Sequence, residues 1–370
     1  MKSRIFLIFC FLFSVLFAEV SPVAAQDTDI TYMRGKAIEI LEHGAEVDPS
    51  SEFQDDYQEV TVEITNGPEK GNLVYINHGA GMDLLESEKV KNGDELVILK
   101  ASGPDGEMQY SISDRYRLSA LKVLALFFIV VTVICGGWKG FRSLIGLGLS
   151  IIVLMFLVVP GIANGGSPLF YTLLGSLGIS CASLFIAHGF KARTTIALIG
   201  IMLTVVASLL IAVFSTKIAH IFGTGSDDAF SLQFLGTIPN LDLRGLLIGG
   251  IIIGTLGVLD DVATSQAAVV EELKNANPNM KRKELFLSGM SVGREHIAAL
   301  INTLFLAYAG VSLPLFLMFA VNDILPIPIF LNTEFVAEEI VRTVTGSVAL
   351  MLAVPLTTYI AAWFFGARKY

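Results

Sequence analysis

Cysteine is scarce in this chain: 370 residues contain three, Cys10, Cys135 and Cys181. All three lie in long apolar runs and none falls between residues 26 and 117. Neither a disulfide framework nor a thiolate metal site is supported. Charge is scarce as well. Asp, Glu, Lys and Arg make up 16% of the residues, against about 25% in soluble proteins. Hydrophobic residues reach 53% and the mean hydropathy is +0.67, so lipid is the expected solvent for much of the chain. His43, His78, His188, His220 and His296 show no metal-ligand spacing with one another. No glycine-lysine phosphate loop occurs. No cofactor, no metal and no ATPase chemistry is therefore expected.

The net charge of −9 is unevenly spread. Residues 26–117 hold 20 acidic and 8 basic side chains, whereas residues 118–370 hold 13 and 15. The acidity belongs to one segment, and no nucleic-acid partner is expected. At the N-terminus, Lys2 and Arg4 precede an apolar run from Ile5 to Phe17, which ends in Val23-Ala24-Ala25 before Gln26. That order is a secretory signal peptide over 1–25.

Residues 26–117 follow a period of two. Val60, Val62 and Ile64 point one way and Glu59, Thr61 and Glu63 the other. Asn66-Gly67-Pro68 punctuates that strand, Leu73–Ile76 begins another, and Asp94–Lys100 and Gln109–Ser113 continue the pattern around a turn at Gly103-Pro104-Asp105-Gly106. Five or so short strands predict a small barrel- or sandwich-like β domain. Arg115 and Arg117 lead straight into the first apolar helix, so this domain is expected close to the membrane surface.

A helix needs roughly 20 apolar residues to cross a hydrocarbon core of about 30 Å. Seven stretches qualify: 119–138, 143–162, 168–188, 194–214, 245–266, 297–320 and 343–365. The signal peptide places the 26–117 domain outside the cytoplasm, and seven crossings place the C-terminus inside. Charge agrees with that orientation. Segments expected in the cytoplasm carry Lys139, Arg142, Lys191, Arg193, Lys274, Lys281, Arg282, Lys283, Arg294, Arg368 and Lys369, against Lys122, Lys217, Arg244 and Arg342 outside. The predicted fold is an α-helical integral membrane bundle over 118–370, of about seven transmembrane helices, behind an extracytoplasmic β-rich domain.

Within the fifth apolar stretch stand two aspartates, Asp260 and Asp261. Helical spacing groups Asp261 with Gly250, Gly254, Gly257, Thr264 and Ser265, a stripe expected to face the packed side of the bundle. Asp261 lies about 24 Å along the helix from Gly245, where an ionised group costs about 2.5–3.5 kcal/mol. Groups held at such depth point to ion coupling or substrate binding. The plain alternative is that the helix ends near Leu259 and leaves both carboxylates among headgroups. In the sixth stretch Arg294, Glu295 and His296 form an expected cytoplasmic gate. Glu295, Ala299, Asn302 and Thr303 share one face, and Asn302 is expected to bond to another helix. In the seventh, Glu338 and Arg342 are spaced as an ion pair, Glu339 stands beside the route, and Pro355 is expected to kink the helix and free a carbonyl. Gly289-Met290-Ser291-Val292-Gly293 matches the G-x-S-x-G pattern but lacks the strand before it that a nucleophile elbow needs, and it is placed in a basic cytoplasmic loop. No enzymatic activity is expected.

The sequence resembles the YibE/F family of bacterial membrane proteins over roughly 118–366. The resemblance is carried by Gly254–Val262 running on through Gln266 to Glu272, by Ser288–His296, and by Asn302–Gly310 with Ser312-Leu313-Pro314. It implies a multi-pass protein of the bacterial cell membrane, sometimes regarded as a transporter. The leading expectation is a secondary permease for an unknown small solute or ion. Its path runs through Asp260, Asp261, Thr264, Asn302, Thr303 and Glu339. A variant has the bundle driven by a separate ATPase docked on the basic 270–294 loop, and either a homo-oligomer or a partner membrane subunit is expected. The alternative is a non-transporting sensor or assembly factor whose outer domain binds a ligand or protein.

Overall fold

The structure, a computed structural model, describes residues 30–43, 57–79, 84, 86–103, 107–236, 238, 241–321 and 326–367. The expected signal peptide over 1–25 and the 104–106 part of the last β turn lie outside the described residues. Two compact units are present, Met1–Val131 and Thr132–Tyr370.

In the first unit the alternating pattern becomes one sheet. Strands β1 (Thr31–His43), β2 (Tyr57–Ile64), β3 (Leu73–His78), β4 (Glu95–Ser102) and β5 (Met108–Arg115) are ordered β3-β2-β1-β4-β5. Every neighbouring pair is antiparallel. The sheet curls into a half-barrel whose edge strands β3 and β5 approach each other; there is no second sheet of a sandwich among the described residues. Register shifts between Ala37 and Glu39 and between Val97 and Ile98 supply the local twist that curling needs. At Gly35 a Cβ would lie 2.2 Å from Val62 Cγ1, so glycine lets β1 cross the curl closely. Val60, Val62, Ile64, Leu96 and Ile98 fill the interior. Gln58, 2% exposed, seals it: its amide accepts from Val90 N at 2.7 Å and donates to Val90 O at 3.2 Å. No polar atom of that clamp is left bare, as burial requires.

The second unit is helical. After α1 (Leu118–Val153), a π turn (Leu154–Val158) and α2 (Val159–Ala163) come α3 (Pro168–His188) and α4 (Ala192–Ile218). Then follow α5 (Asp227–Leu235), α6 (Leu243–Ala276), α7 (Arg282–Val311), α8 (Leu313–Val321), α9 (Ile327–Leu331) and α10 (Glu334–Phe365). By length and composition five of these could cross a membrane: Leu118–Ala163, α3, α4, α6 and α10. The number is six if α7 and α8, bent by 63°, form one broken span. The first stretch is not one straight rod. Gly137 has φ 54 and ψ −139, and a Cβ on Gly140 would lie 2.3 Å from the Thr132 carbonyl oxygen. Eight residues of straight helix would separate those positions by about 12 Å. The chain therefore bends sharply at Gly136-Gly137.

Packing centres on α6, which touches α3, α4, α7 and α10. Its buried side is a broad aliphatic band including Ile248, Ile252, Leu256, Leu259 and Val262. Lipid tails are as apolar as leucine, so close packing at small residues, rather than water exclusion, joins such helices. Gly249 meets Thr172, Gly200 meets Thr357, and Gly346 meets Thr255 and Tyr308. Gly293 meets Val354 and Gln266. α6 does not stop near Leu259 but runs on to Ala276, because Val262, Ala263, Ala267 and Val270 continue the buried band. Its length, about 51 Å at 1.5 Å per residue, exceeds an apolar core of about 30 Å.

Two expectations need correction here. The 270–294 segment is mostly helix, the last turns of α6 and the first of α7, with 277–281 between them. Lys274 in it is 3% exposed and caps the helix end, donating to Pro278 O at 2.6 Å and Met280 O at 3.0 Å. The G-x-S-x-G residues are likewise inside α7, where Gly289 and Gly293 permit close packing rather than form a turn. Glu338 does not pair with Arg342. It is 3% exposed and accepts from Gly225 N at 2.9 Å, while Arg342 pairs with Glu339 at 3.4 Å. Glu334 accepts from the successive amides of Phe222, Gly223 and Thr224. Two carboxylates of α10 thus clasp four backbone N–H groups after α4.

Candidate functional site

Asp260 and Asp261 occupy consecutive positions on α6, so their side chains diverge by about 100°. Asp260 turns toward α3, where Ser180 Oγ donates to its Oδ1 at 3.4 Å and Ser183 also hydrogen-bonds its carboxylate. Ser180 is fully buried between the helices. Asp261 is exposed, on the open side of α6. Both carboxylates border a cavity of about 400 Å³ between the second half of α1, α3 and α6. Ser143 and Ser150 of α1, Ser183 and His188 of α3, and Thr264 of α6 add polar atoms to its wall. A second cavity of about 200 Å³ shares His188, Asp261 and Thr264 with the first and adds Arg193, Thr194 and Ser265.

Local helix geometry accounts for how these groups are presented. Thr264 Oγ1 donates back to the carbonyls of Asp260 at 2.8 Å and Asp261 at 3.1 Å. Ser150 Oγ does the same to Gly146 O at 3.0 Å. Each hydroxyl has its proton engaged on its own helix and keeps oxygen lone pairs for the cavity. Arg193, in the wall of the smaller cavity, lies 3.8 Å from Glu271. The larger cavity is lined by no lysine or arginine among the described residues.

Of the residues singled out in the sequence, Asp260, Asp261 and Thr264 meet at this site. Asn302, Thr303 and Glu339 line neither cavity. Asn302 and Thr303 are exposed, Asn302 on the side of α7 turned away from buried Gly289, Gly293 and Leu304. Thr303 donates to Ala299 O at 2.9 Å on its own helix, and Asn302 makes no hydrogen bond with a described residue. The expected bond from Asn302 to another helix is absent within the described part of this chain. Glu339 accepts from Ser312 at 3.3 Å besides its pair with Arg342. Arg294 and Glu295 are exposed on α7 and His296 half-buried, with no ion pair to a described residue. The stripe of Gly250, Gly254, Gly257 and Asp261 does share a face, but that face is the open one. Among the described residues a Cβ at Gly250 or Gly257 would meet nothing within 4 Å, and one at Gly254 only the Tyr308 hydroxyl at 3.9 Å.

Ser180, Ser183, His188, Ser143 and Ser150 were missed in the sequence reading. The α3 residues carried a usable signal. Thr172, Ser176, Ser180 and Ser183 recur at i, i+4, i+8 and i+11 in an otherwise apolar helix, which places four hydroxyls on one side.

No curated protein and no solved structure matches this chain. The family model described as YibE/F-like protein matches residues 124–367, which take in α3, α6, α7, α10 and both cavities. The motif stretches around Asp260, Ser291 and Asn302 fall on α6 and α7, the pair joined by the Gln266 amide donating to Gly289 O at 2.8 Å. On the strength of that match, the chain belongs to the YibE/F-like family.

Proposed function

We propose that this membrane protein is a permease whose coupling or substrate site is the Asp260–Asp261 cavity. The observation that carries the reading is the oxygen-lined space beside α6, with a carboxylate turned inward onto two serines of α3. Ionisable groups inside an apolar bundle are costly and commonly mark ion or substrate pathways. We read the topology as seven crossings. The bend at Gly137 divides Leu118–Ala163 into two helices of about 28 and 39 Å, and α7 with α8 makes one broken span. The 26–117 domain then lies outside the bacterial cell membrane and the C-terminus in the cytoplasm. The charge asymmetry between loops supports this orientation.

The test is flux. The purified chain in liposomes should dissipate a gradient of some ion or small solute, and Asp260→Asn and Asp261→Asn should each stop it with expression unchanged. Flux that persists in both variants removes the carboxylates from the mechanism. The open faces of α6 and α7, with Asp261 on one and Asn302 on the other, favour a second copy or a partner subunit covering them, since bare polar groups in lipid are unfavourable.

One observation favours the sensor or assembly reading. Tyr75 and Leu73 of β3 stand 79% and 54% exposed on the outer face of the half-barrel, beside Thr61 and Glu63 of β2. Such a face is suited to capturing a partner. Capture by the outer domain with no flux for any tested gradient decides for that reading.

A further inference from the structure

The larger cavity offers hard oxygen donors and no fixed positive charge. Asp260, Asp261, Ser183 and Thr264 supply carboxylate and hydroxyl oxygens, and the imidazole of His188 is the one nitrogen-bearing side chain among its described lining. Such a donor set suits a small hard cation and disfavours an anion. Charge count narrows the class. One carboxylate, Asp260, is turned inward onto the neutral hydroxyls of Ser180 and Ser183, which balances a single positive charge. No group of three or more His, Cys, Asp or Glu residues that could hold a metal ion occurs among the described residues, which argues against a tightly held divalent ion.

A second observation lies one turn further along α3. Ser176 is fully buried on the same face as Ser180, and its Oγ has no hydrogen-bond partner among the described residues. An unpaired buried hydroxyl is unfavourable. A dehydrated cation moving along this face would take that oxygen as a ligand. Thr172, 2% exposed, stands a turn beyond. The four hydroxyls from Ser183 to Thr172 cover about 16 Å of helix at 1.5 Å per residue, and they lead away from the carboxylate between α3 and α6.

We propose that Asp260, Ser180 and Ser183 form a binding site for a dehydrated alkali cation of sodium size, which passes along the α3 hydroxyls. The coupling role of that ion rests on the permease reading; its binding does not. The site binds weakly enough to release its ion, as a conducting path requires.

The test uses the purified full chain in detergent, with thermal unfolding and titration calorimetry in sodium, potassium and choline chloride at matched ionic strength. Sodium raises the unfolding midpoint of the wild type saturably, more than potassium, and choline does not. Asp260→Asn abolishes the sodium effect. Ser180→Ala and Ser183→Ala each weaken sodium affinity by about tenfold, the scale of a lost hydrogen bond to a charged group. Ser347→Ala, which removes a hydroxyl bonded to its own helix outside both cavities, leaves it unchanged. Should Asp260→Asn fail to fold, the two serine variants decide alone. Equal midpoints in sodium and choline for the wild type overturn the site. Asp260-dependent flux without any sodium effect sinks the cation and spares the permease. Sodium binding lost in Asp260→Asn, with no flux for any solute, sinks the permease and spares the site.

Discussion

Gly293 and Gly257 look alike in sequence, each a glycine within an apolar stretch, yet the structure assigns them opposite responses to the same substitution. At Gly293 a Cβ would lie 2.4 Å from Val354 Cγ1 and 3.1 Å from Gln266 Nε2. Ordinary contact is near 3.5–4.0 Å, so α7 or Val354 must retreat by about 1 Å. Overpacking of that kind costs about 1–3 kcal/mol. The retreat also strains the bond from Gln266 to Gly289 O, and interhelical hydrogen bonds in membranes average about 0.6 kcal/mol. Alanine recovers roughly 0.5–1 kcal/mol of helix propensity, which leaves Gly293→Ala less stable by about 0.6–3 kcal/mol. Gly257→Ala meets no described residue within 4 Å and keeps the propensity gain alone, so it should be neutral or up to about 1 kcal/mol more stable. Trp363 reports the event directly, because Arg282 at the start of α7 lies over its ring at 5.3 Å. Thermal unfolding of both variants, followed by tryptophan fluorescence in one detergent, gives the comparison. Gly293→Ala as stable as wild type beside a destabilised Gly257→Ala would show that α7 and α6 pack by the opposite faces.

In the β domain, Lys100 and then Tyr110 hydrogen-bond Glu69 and hold its carboxyl below the usual range, while Glu69 raises Lys100. A lowered carboxyl stabilises above its unfolded pKa and loses that contribution as pH falls through its folded one; a raised ammonium stabilises below its own and loses it as pH rises. The stability difference between wild type and Glu69→Gln, at most about 1 kcal/mol for a partly exposed pair, should therefore hold flat between about pH 5 and pH 10 and shrink on either side; a difference that grows in acid contradicts it. Glu338→Ala leaves the Gly225 N–H unpaired, at about 1–3 kcal/mol, and trypsin should then cut faster at Lys217 or Arg244, the residues flanking the clasped segment; an unchanged cleavage rate refutes the clasp. A cysteine at Asn302, with Cys135 and Cys181 replaced by serine, should give a disulfide-linked dimer in membranes if a second copy covers the open side of α7, and a chain that stays monomeric under oxidant excludes that arrangement.

The sequence made some boundaries legible because the stop signals were local. α3 runs Pro168–His188, as expected, between a proline suited to the first turn and Gly189 at φ 79. α6 and α7 overran their expected ends for a physical reason. Glu271, Glu272 and Lys274 look like loop residues when hydropathy is averaged, but Ala267 and Val270 just before them and Leu273 among them keep the packed band going. Gly289 and Gly293 look like turn residues, yet they let α7 lie close against Val270 and Gln266 of α6 and Thr358 and Val354 of α10. β1 hid because Gly35 and Ala37, its inward residues, are too small to register as a hydrophobic period. At the site, the aspartates stood out as charges in an apolar run, whereas serines and threonines in such a run are quiet. A hydroxyl can satisfy itself on its own helix, as Thr264 and Ser150 do, so its presence alone does not announce a pathway.

Periodicity also has a limit that α6 and α7 expose together. It groups residues onto one face, and it grouped Asp261 with Gly250, Gly254 and Gly257, and Asn302 with Glu295 and Ala299. It does not say which face turns inward. In water that would be settled by hydrophobicity, but within a bilayer both faces of a helix can be apolar and the choice falls to shape. On α3 the shape-giving residues are the hydroxyls themselves: Ser176 and Ser180 are small enough to be fully buried against α6 and polar enough to meet Asp260 or an ion. Packing and chemistry therefore share the same atoms there. A bulky substitution at Ser180 would separate two helices as well as delete a ligand, and its loss of activity would carry no information about mechanism. Ser180→Ala keeps the contact and removes the oxygen, so a folded variant that no longer distinguishes sodium from choline isolates the chemical role from the structural one.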